Sequence, residues 1–214
     1  MFNAFIFDFD LTLADTGEGI VLCCNHALAQ MGYAPVLPET ILMCVGKTVE
    51  ETYAMLTGCT DYEEALVFHQ HWREKADVVG SKGTRLYPDT IDSLKRLKSA
   101  GGKTAIVSNK TTHRIKSVLR EFDASEWVDL VLGIETYAAP KPAPDGVWLA
   151  LEKLGVPRER ALYIGDSFVD MQTASASAVA FAGVTTGTTT SADFHAAGTK
   201  NVFPSLAAIV ERFG

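Results

Sequence analysis

No stretch of this sequence approaches the roughly 20 consecutive apolar residues that a membrane-spanning helix needs. Basic residues are outnumbered: 19 Lys and Arg stand against 26 Asp and Glu, a net charge of −7. That balance disfavours nucleic acid as a partner. It also means that an anionic substrate would require positive charge concentrated locally. The N-terminus has no basic stretch before its first apolar run and carries acids by position 8, so no secretory leader is expected. There are four cysteines, Cys23, Cys24, Cys44 and Cys59, without paired metal-ligand spacing. With no secretory signal, they are expected to be reduced and mostly buried, in a cytoplasmic protein. Internal repeats are absent, and the threonine-rich loop at 184–190 is too short to count as low complexity.

What remains is ordinary globular material: 214 residues, 47% hydrophobic and 21% charged. That is enough for a large core, alone or with a smaller insert. The chain is organised around Phe5-Ile-Phe-Asp-Phe-Asp-Leu-Thr-Leu-Ala-Asp-Thr16. Phe5, Ile6 and Phe7 show no polar alternation, which predicts a strand buried on both faces. Asp8 and Asp10 follow at once, and acids just past a buried parallel strand lie where such sheets place their chemistry. Two acids this close need positive charge, and a divalent cation is the first candidate. Taken alone, the pair fits a solvated acidic turn equally well.

From 15 to about 84 the apolar spacing is helical throughout. Ile20, Val21, Cys24, Ala27, Leu28 and Met31 mark one helix over 17–32, and Pro38 opens a short second one. Thr48 and Glu51 stand at capping-box spacing before a third, which Gly58 stops. A fourth covers 61–79, with Tyr62, Ala65, Leu66, His69, Trp72 and Ala76 inward. Thereafter strands and helices alternate. Strands are predicted at 103–107, 128–132, 161–164, 179–182 and 201–203, with helices between them. Alternation of this kind implies a parallel sheet with helices on both faces. The fold expected is therefore α/β, a Rossmann-like three-layer core from residues 1–14 and 85–214. An all-helical domain, 15–84, is inserted into it.

Three later strands end in, or lead to, polar signatures: Ser108-Asn109-Lys110, Lys141 between Pro140 and Pro142, and Gly165-Asp166-Ser-Phe-Val-Asp170. With Asp8 and Asp10 they would meet along one rim of the sheet. The chemistries are complementary. Carboxylates suit Mg²⁺, a hard cation that prefers oxygen. Ser108 and Lys141 suit phosphate oxygens. Asp8, ionised at neutral pH, could attack phosphorus unaided. Asp10 could then protonate the leaving oxygen and later deprotonate water. Individually the residues say less: Ser108 could be a turn serine, Lys141 a surface lysine and Asp170 a helix N-terminal acid.

The order Asp8-Phe-Asp10-Leu-Thr12, Ser108-Asn109, Lys141-Pro142, Gly165-Asp166…Asp170 closely resembles the haloacid dehalogenase superfamily of hydrolases, with all four motifs in sequence. The helical insert resembles that family's small cap. Val45-Gly46, the Asp145 segment and Ala197-Gly198…Val202-Phe203-Pro-Ser205-Leu206 are most similar to its phosphoglycolate phosphatase-like branch. The resemblance implies that Asp8 is the nucleophile, forming an aspartyl-phosphate, and that Asp10 is the acid/base. It implies a Mg²⁺ site from Asp8, the main-chain carbonyl of Asp10 and Asp166, with Asp170 supporting it. Ser108 and Lys141 would bind the transferring phosphoryl group. Asn109 would shape that phosphate-binding loop, and Thr12 would orient the first motif. Lys47, after Gly46 at a helix entrance, is a candidate substrate contact. Asp15 and Thr16 are read as caps of the first inserted helix, His69 and His71 as structural or exposed, and Trp72 and Trp148 as core.

The function expected is a Mg²⁺-dependent phosphatase acting on a small phosphorylated metabolite, phosphoglycolate-like or a sugar phosphate, as monomer or homodimer without nucleic-acid or membrane partners. Pyrophosphatase chemistry suits the same core. A dehalogenase would lack Asp10. Sugar-phosphate mutases of this family carry a His where Ile20 stands, which weakens that alternative. From another class, a receiver-like phosphoacceptor domain also combines acids, Ser/Thr and Lys-Pro on a parallel sheet. Such domains are shorter, lack the insert and place no acidic motif after the Lys.

Overall fold

The computed structural model describes residues 2–214. Its main sheet has six strands: β1 (Ala4–Phe7), β4 (Lys103–Val107), β5 (Leu130–Leu132), β6 (Ala161–Gly165), β7 (Ala180–Val184) and β8 (Val202–Phe203). They lie in the order β5-β4-β1-β6-β7-β8, and all the recorded pairings are parallel. Two-residue strands, β2 (Ala14–Asp15) and β3 (Arg85–Leu86), form a second sheet where the chain leaves and rejoins the core. They are too short for any periodicity to mark, and Asp15 is therefore strand rather than the start of a helix.

Alternation along β1 explains the layering. Phe5 and Phe7 point into one apolar cluster, with Ile106, Leu162 and Ile164 from the neighbouring strands. Helices α5 (Thr90–Ser99), α6 (Thr112–Glu121) and α10 (Leu206–Phe213) supply Leu94, Ile115, Leu119 and Ile209 to that side. Ala4 and Ile6 point into a second cluster with Ala105, Val107, Ala161 and Tyr163, covered by α7 (Asp145–Leu154) and α8 (Phe168–Ser177). Each large side chain so buried contributes about 1.5–3 kcal/mol. A strand buried on both faces has no polar alternation, which is what Phe5-Ile-Phe7 displays. The connection runs outward from β1 over one face and returns over the other. A switch of direction there opens a crevice beyond the C-terminal ends of the central strands. Helix α9 (Ser191–Ala196) lies between β7 and β8.

The chain divides into two compact units, one of residues up to Asp15 with Leu86–Gly214, the other Thr16–Arg85. The second holds α1 (Gly17–Gln30), α2 (Pro38–Leu42), α3 (Val49–Thr57) and α4 (Tyr62–Val79) around a cluster of Cys24, Ala27, Leu28, Ile41, Tyr53, Ala65 and Phe68. Thr48 and Glu51 form the capping box, and Gly58 ends α3 at φ 76°. None of the four cysteines is in a disulfide, and only Cys59 is part-exposed.

Four expectations differ from the structure here. The inward face of α4 runs through Ala65 and Phe68, while Tyr62 and Leu66 are exposed. Ala65 and the part-buried Trp72 keep the expected side, and Phe68 joins them with its ring 5.6 Å from that of Tyr53. Trp148 is 54% exposed, not core, because Val147, Ala150 and Leu151 take the buried face of α7. Thr16 occupies the N-cap of α1 but makes no capping hydrogen bond, and its hydroxyl is buried without a partner. Strand β5 is also shorter than expected, Leu130–Leu132, because Val128 leaves a 3-10 turn at Ser125–Trp127 and Asp129 instead turns its carboxylate to Thr104 N at 2.9 Å. Among the described residues, no helix is long and apolar enough to cross a membrane.

Candidate active site

β1, β4 and β6 end side by side, and their next residues are Asp8, Ser108 and Asp166. Main-chain bonds extend the ladder to hold them: Asp8 N donates to Ile164 O at 2.9 Å and Ser108 N to Leu132 O at 3.1 Å. Beyond Asp8 the chain folds back on itself. The amides of Thr12, Leu13 and Ala14 all donate to Phe9 O, and Leu11 takes a left-handed φ of 58°. That conformation is rare for a branched residue. It is secured by Thr186, whose hydroxyl donates to Leu11 O at 2.6 Å.

Lys141 is the hub. Its side chain is 2% exposed and its Nζ donates to Asp170 Oδ1 at 2.7 Å and to the Tyr163 hydroxyl at 3.2 Å. Asp8 Oδ1 lies 2.8 Å from the same nitrogen, at ion-pair distance but outside hydrogen-bond geometry. Burial alone would lower the Lys141 pKa. The charges of Asp170 and Asp8 outweigh it and hold the ammonium well above its ordinary range. Asn109 fixes the lysine's main chain from both sides, accepting from Lys141 N at 2.9 Å and donating to Lys141 O at 3.2 Å. The Lys141–Pro142 peptide is cis.

Asp170 is wholly buried and fully engaged. Oδ1 faces Lys141 and Tyr163, while Oδ2 accepts from Ser167 N at 3.1 Å and Ser167 Oγ at 2.6 Å, closing the capping box of α8. Asp166 Oδ1 accepts from the buried Thr12 hydroxyl at 2.8 Å. Ser108 is 2% exposed, and its carbonyl accepts from Tyr137 OH at 2.7 Å. Lys47 is exposed and belongs to the Thr16–Arg85 unit.

One oxygen from each of Asp8, Asp166 and Asp170 lies within 4.8 Å of the others, all three buried. Burial, set against Lys141 and reinforced by Asp170 and Asp10, pushes the Asp8 carboxyl up to about 6. Burial, then the charges of Asp170 and Asp8, push Asp166 well above its ordinary range. These acids are thus short of positive charge. The donor set suits a hard divalent cation: buried carboxylate oxygens only, with Asp8 Oδ1 accepting no hydrogen bond. Because Asp170 has both oxygens committed, Asp8 and Asp166 are the better placed to hold such an ion.

The structure also brings in residues that the motifs do not include. Tyr163 OH donates to Val107 O at 3.1 Å and so braces Lys141. Lys110 Nζ donates to Asp10 Oδ1 at 2.8 Å. A Cβ on Gly187 would fall 1.9 Å from Asp166 Oδ2, so the loop after β7 presses its bare backbone on that carboxylate. Lys110 already closes the Ser108-Asn109-Lys110 signature, although its place there assigns it no role. Nothing local marks Gly187 or Tyr163.

The sequence model of the haloacid dehalogenase-like hydrolases matches residues 5–184. Phosphoglycolate phosphatase of Aquifex aeolicus is 33% identical over 168 residues, covering 78% of this chain and 77% of its own. Pyrophosphatase PpaX of Bacillus velezensis is 28% identical, covering 85% and 82%. A crystal structure assigned to the haloacid dehalogenase-like hydrolases, from Bacteroides fragilis, superposes with a TM-score of 0.93 at 39% identity, over 98% of this chain and 100% of that one. Profile, relatives and fold agree with the four acid-and-lysine motifs at the sheet's rim: the chain belongs to the haloacid dehalogenase-like hydrolases.

Proposed function

We propose that this hydrolase is a Mg²⁺-dependent phosphatase of small phosphorylated metabolites, with Asp8 as nucleophile. One observation carries the reading. Asp8 sits at the end of the central strand, buried, 2.8 Å from a lysine ammonium and close to a second buried acid. In the first step Asp8 forms an O–P bond as the bond from phosphorus to the leaving oxygen breaks, and Asp10 gives that oxygen a proton. In the second, water attacks the aspartyl-phosphate, its proton passes to Asp10, and the Asp8 bond breaks to release phosphate. Lys141 and Ser108 neutralise and orient the phosphoryl oxygens. Asn109 and Asp170 hold Lys141, and Thr12 holds Asp166. Mg²⁺, held by Asp8, Asp166 and the main-chain carbonyl of Asp10, would offset phosphoryl charge. Asp170 supports that site through Lys141.

The relatives' names make phosphoglycolate the first substrate to try, and pyrophosphate the second. The inserted helical unit serves as a cap in this reading, with Lys47 a substrate contact. A cytoplasmic setting rests on the sequence. The test is phosphate release from phosphoglycolate, triose and hexose phosphates, nucleotides and pyrophosphate, with Mg²⁺ and with EDTA. Turnover should need Mg²⁺ and drop by at least about a thousandfold in Asp8→Asn, which removes the nucleophile. Asp8→Asn turning over at the wild-type rate would remove Asp8 from the chemistry.

A further inference from the structure

Lys110 is a second ammonium in this site, and the steps above give it no task. It follows Ser108 on the loop after β4, where its amide donates to Ser108 Oγ at 3.3 Å. Its side chain passes the Phe9 ring, with Nζ 5.8 Å from the ring centre, and ends on Asp10 Oδ1 at 2.8 Å. The contrast with Lys141 is one of access and of commitment. Lys141 is 2% exposed and lies between two buried carboxylates. Lys110 is 14% exposed and meets a carboxylate that is itself 16% exposed. The Lys110 ammonium is therefore the more accessible of the two, while Lys141 lies deeper, beside Asp8.

Asp10 fixes what Lys110 can meet. To protonate the leaving oxygen, the Asp10 carboxyl must lie within hydrogen-bond reach of it. The atoms attached to that oxygen then lie beside Asp10, and so beside Lys110. We propose that Lys110 recognises negative charge on the leaving group. The substrates favoured are then phosphate esters or anhydrides whose departing part carries a carboxylate or second phosphate close to the bridging oxygen. This rests on the phosphatase reading above and narrows it. An anion in that place attracts the ammonium across a few ångströms in a part-buried setting. The ammonium has three N–H donors, so it can meet that anion without releasing Asp10. A neutral leaving group gains no such attraction. Bond changes are those already given: the Asp8 O–P bond forms, the bridging P–O bond breaks, and the proton comes from Asp10. Lys110 gains and loses nothing, so it is a specificity-determining residue.

The test compares two esters that differ in one group, 2-phosphoglycolate and 2-hydroxyethyl phosphate, both with Mg²⁺. The wild type should favour the carboxylate ester in kcat/KM by at least about tenfold, which is ~1.4 kcal/mol. Lys110→Met should shrink that ratio about tenfold, chiefly by raising KM for 2-phosphoglycolate, and Lys110→Arg should keep most of it. Circular dichroism checks that each variant is folded. If Lys110→Met fails that check, the wild-type ratio and Lys110→Gln decide. A wild type that hydrolyses both esters equally overturns the inference and leaves the phosphatase standing. So does a folded Lys110→Met that slows both esters by the same factor, the mark of a purely structural role. No hydrolysis of any phosphate compound by the wild type overturns both.

Discussion

A single methyl group at Gly187 would collide with Asp166, since its Cβ would lie 1.9 Å from Oδ2 and 2.7 Å from the carboxyl carbon. The carboxylate would have to move, although Thr12 holds its other oxygen at 2.8 Å. Gly187→Ala should therefore weaken Mg²⁺ activation about 10- to 100-fold, the usual scale for disturbing a ligand's support. A Mg²⁺ titration of turnover reads this directly, and an unchanged midpoint would contradict it. Asp8 gives a second outcome at this scale. Its carboxyl is raised from 3.8 to about 6, with burial as the main cause. An acid raised on folding contributes stability that is fully present below about pH 4 and is lost as the pH climbs through about 6. In EDTA, wild type should thus lose on the order of 3 kcal/mol relative to Asp8→Asn between pH 4 and pH 7. Mg²⁺ should cancel that loss, and urea titrations at the two pH values would measure both. That Asp8, Ser108 and Asp166 share one rim was legible because each directly follows an apolar strand, while Lys141 was marked by the prolines on either side of it. Gly187 and Tyr163 were not, because their partners lie far off in the chain and only folding joins them.

The start of α3 was readable, because a cap is a local matter, whereas the cap expected at Asp15 and Thr16 makes no such bond. Thr48 and Glu51 form both bonds of the capping box, at 3.2 Å and 3.0 Å. Thr48→Ala should cost about 1 kcal/mol, and Thr48→Ser nearly nothing. The shift in urea midpoint at constant slope would show it, and equal midpoints for the two variants would refute it. Helix faces were less readable. Spacing alone assigned Leu66 inward, but the structure exposes it and buries Phe68, because Tyr53 and Tyr33 place an aromatic cluster on that side. Such a choice depends on what the partner helix presents, and no pattern within α4 carries it. Strands β2 and β3 escaped for a simpler reason, since two residues cannot show a period of two.

Over the whole chain, the core's stability concentrates on β1 and the two strands beside it, β4 and β6. Strand β1 pairs on both sides, with β4 and with β6, and contributes to both apolar clusters. The Thr16–Arg85 unit has a smaller cluster of its own. Amides of β1, β4 and β6 should therefore exchange with solvent most slowly, and those of residues 16–85 faster, in native-state hydrogen exchange. Equal protection in the two units would contradict this. The α/β alternation and the place of the helical segment were legible because they follow from periodicity. Strand order was not, since β1 carries no mark of its two neighbours.

That pairing has a consequence on the ribosome. Ala4 aligns with Lys103 and with Ala161, so β1 leaves the exit tunnel about a hundred residues before its first partner. At about 5–20 residues per second, Phe5-Ile-Phe7 stays without a mate for several seconds at least. Residues 16–85 emerge meanwhile and can close their own cluster. The strand that leads to Asp8 is thus made well before either of its partners and pairs only after they emerge, and in that interval it is an apolar, unpaired segment of the kind that chaperones bind.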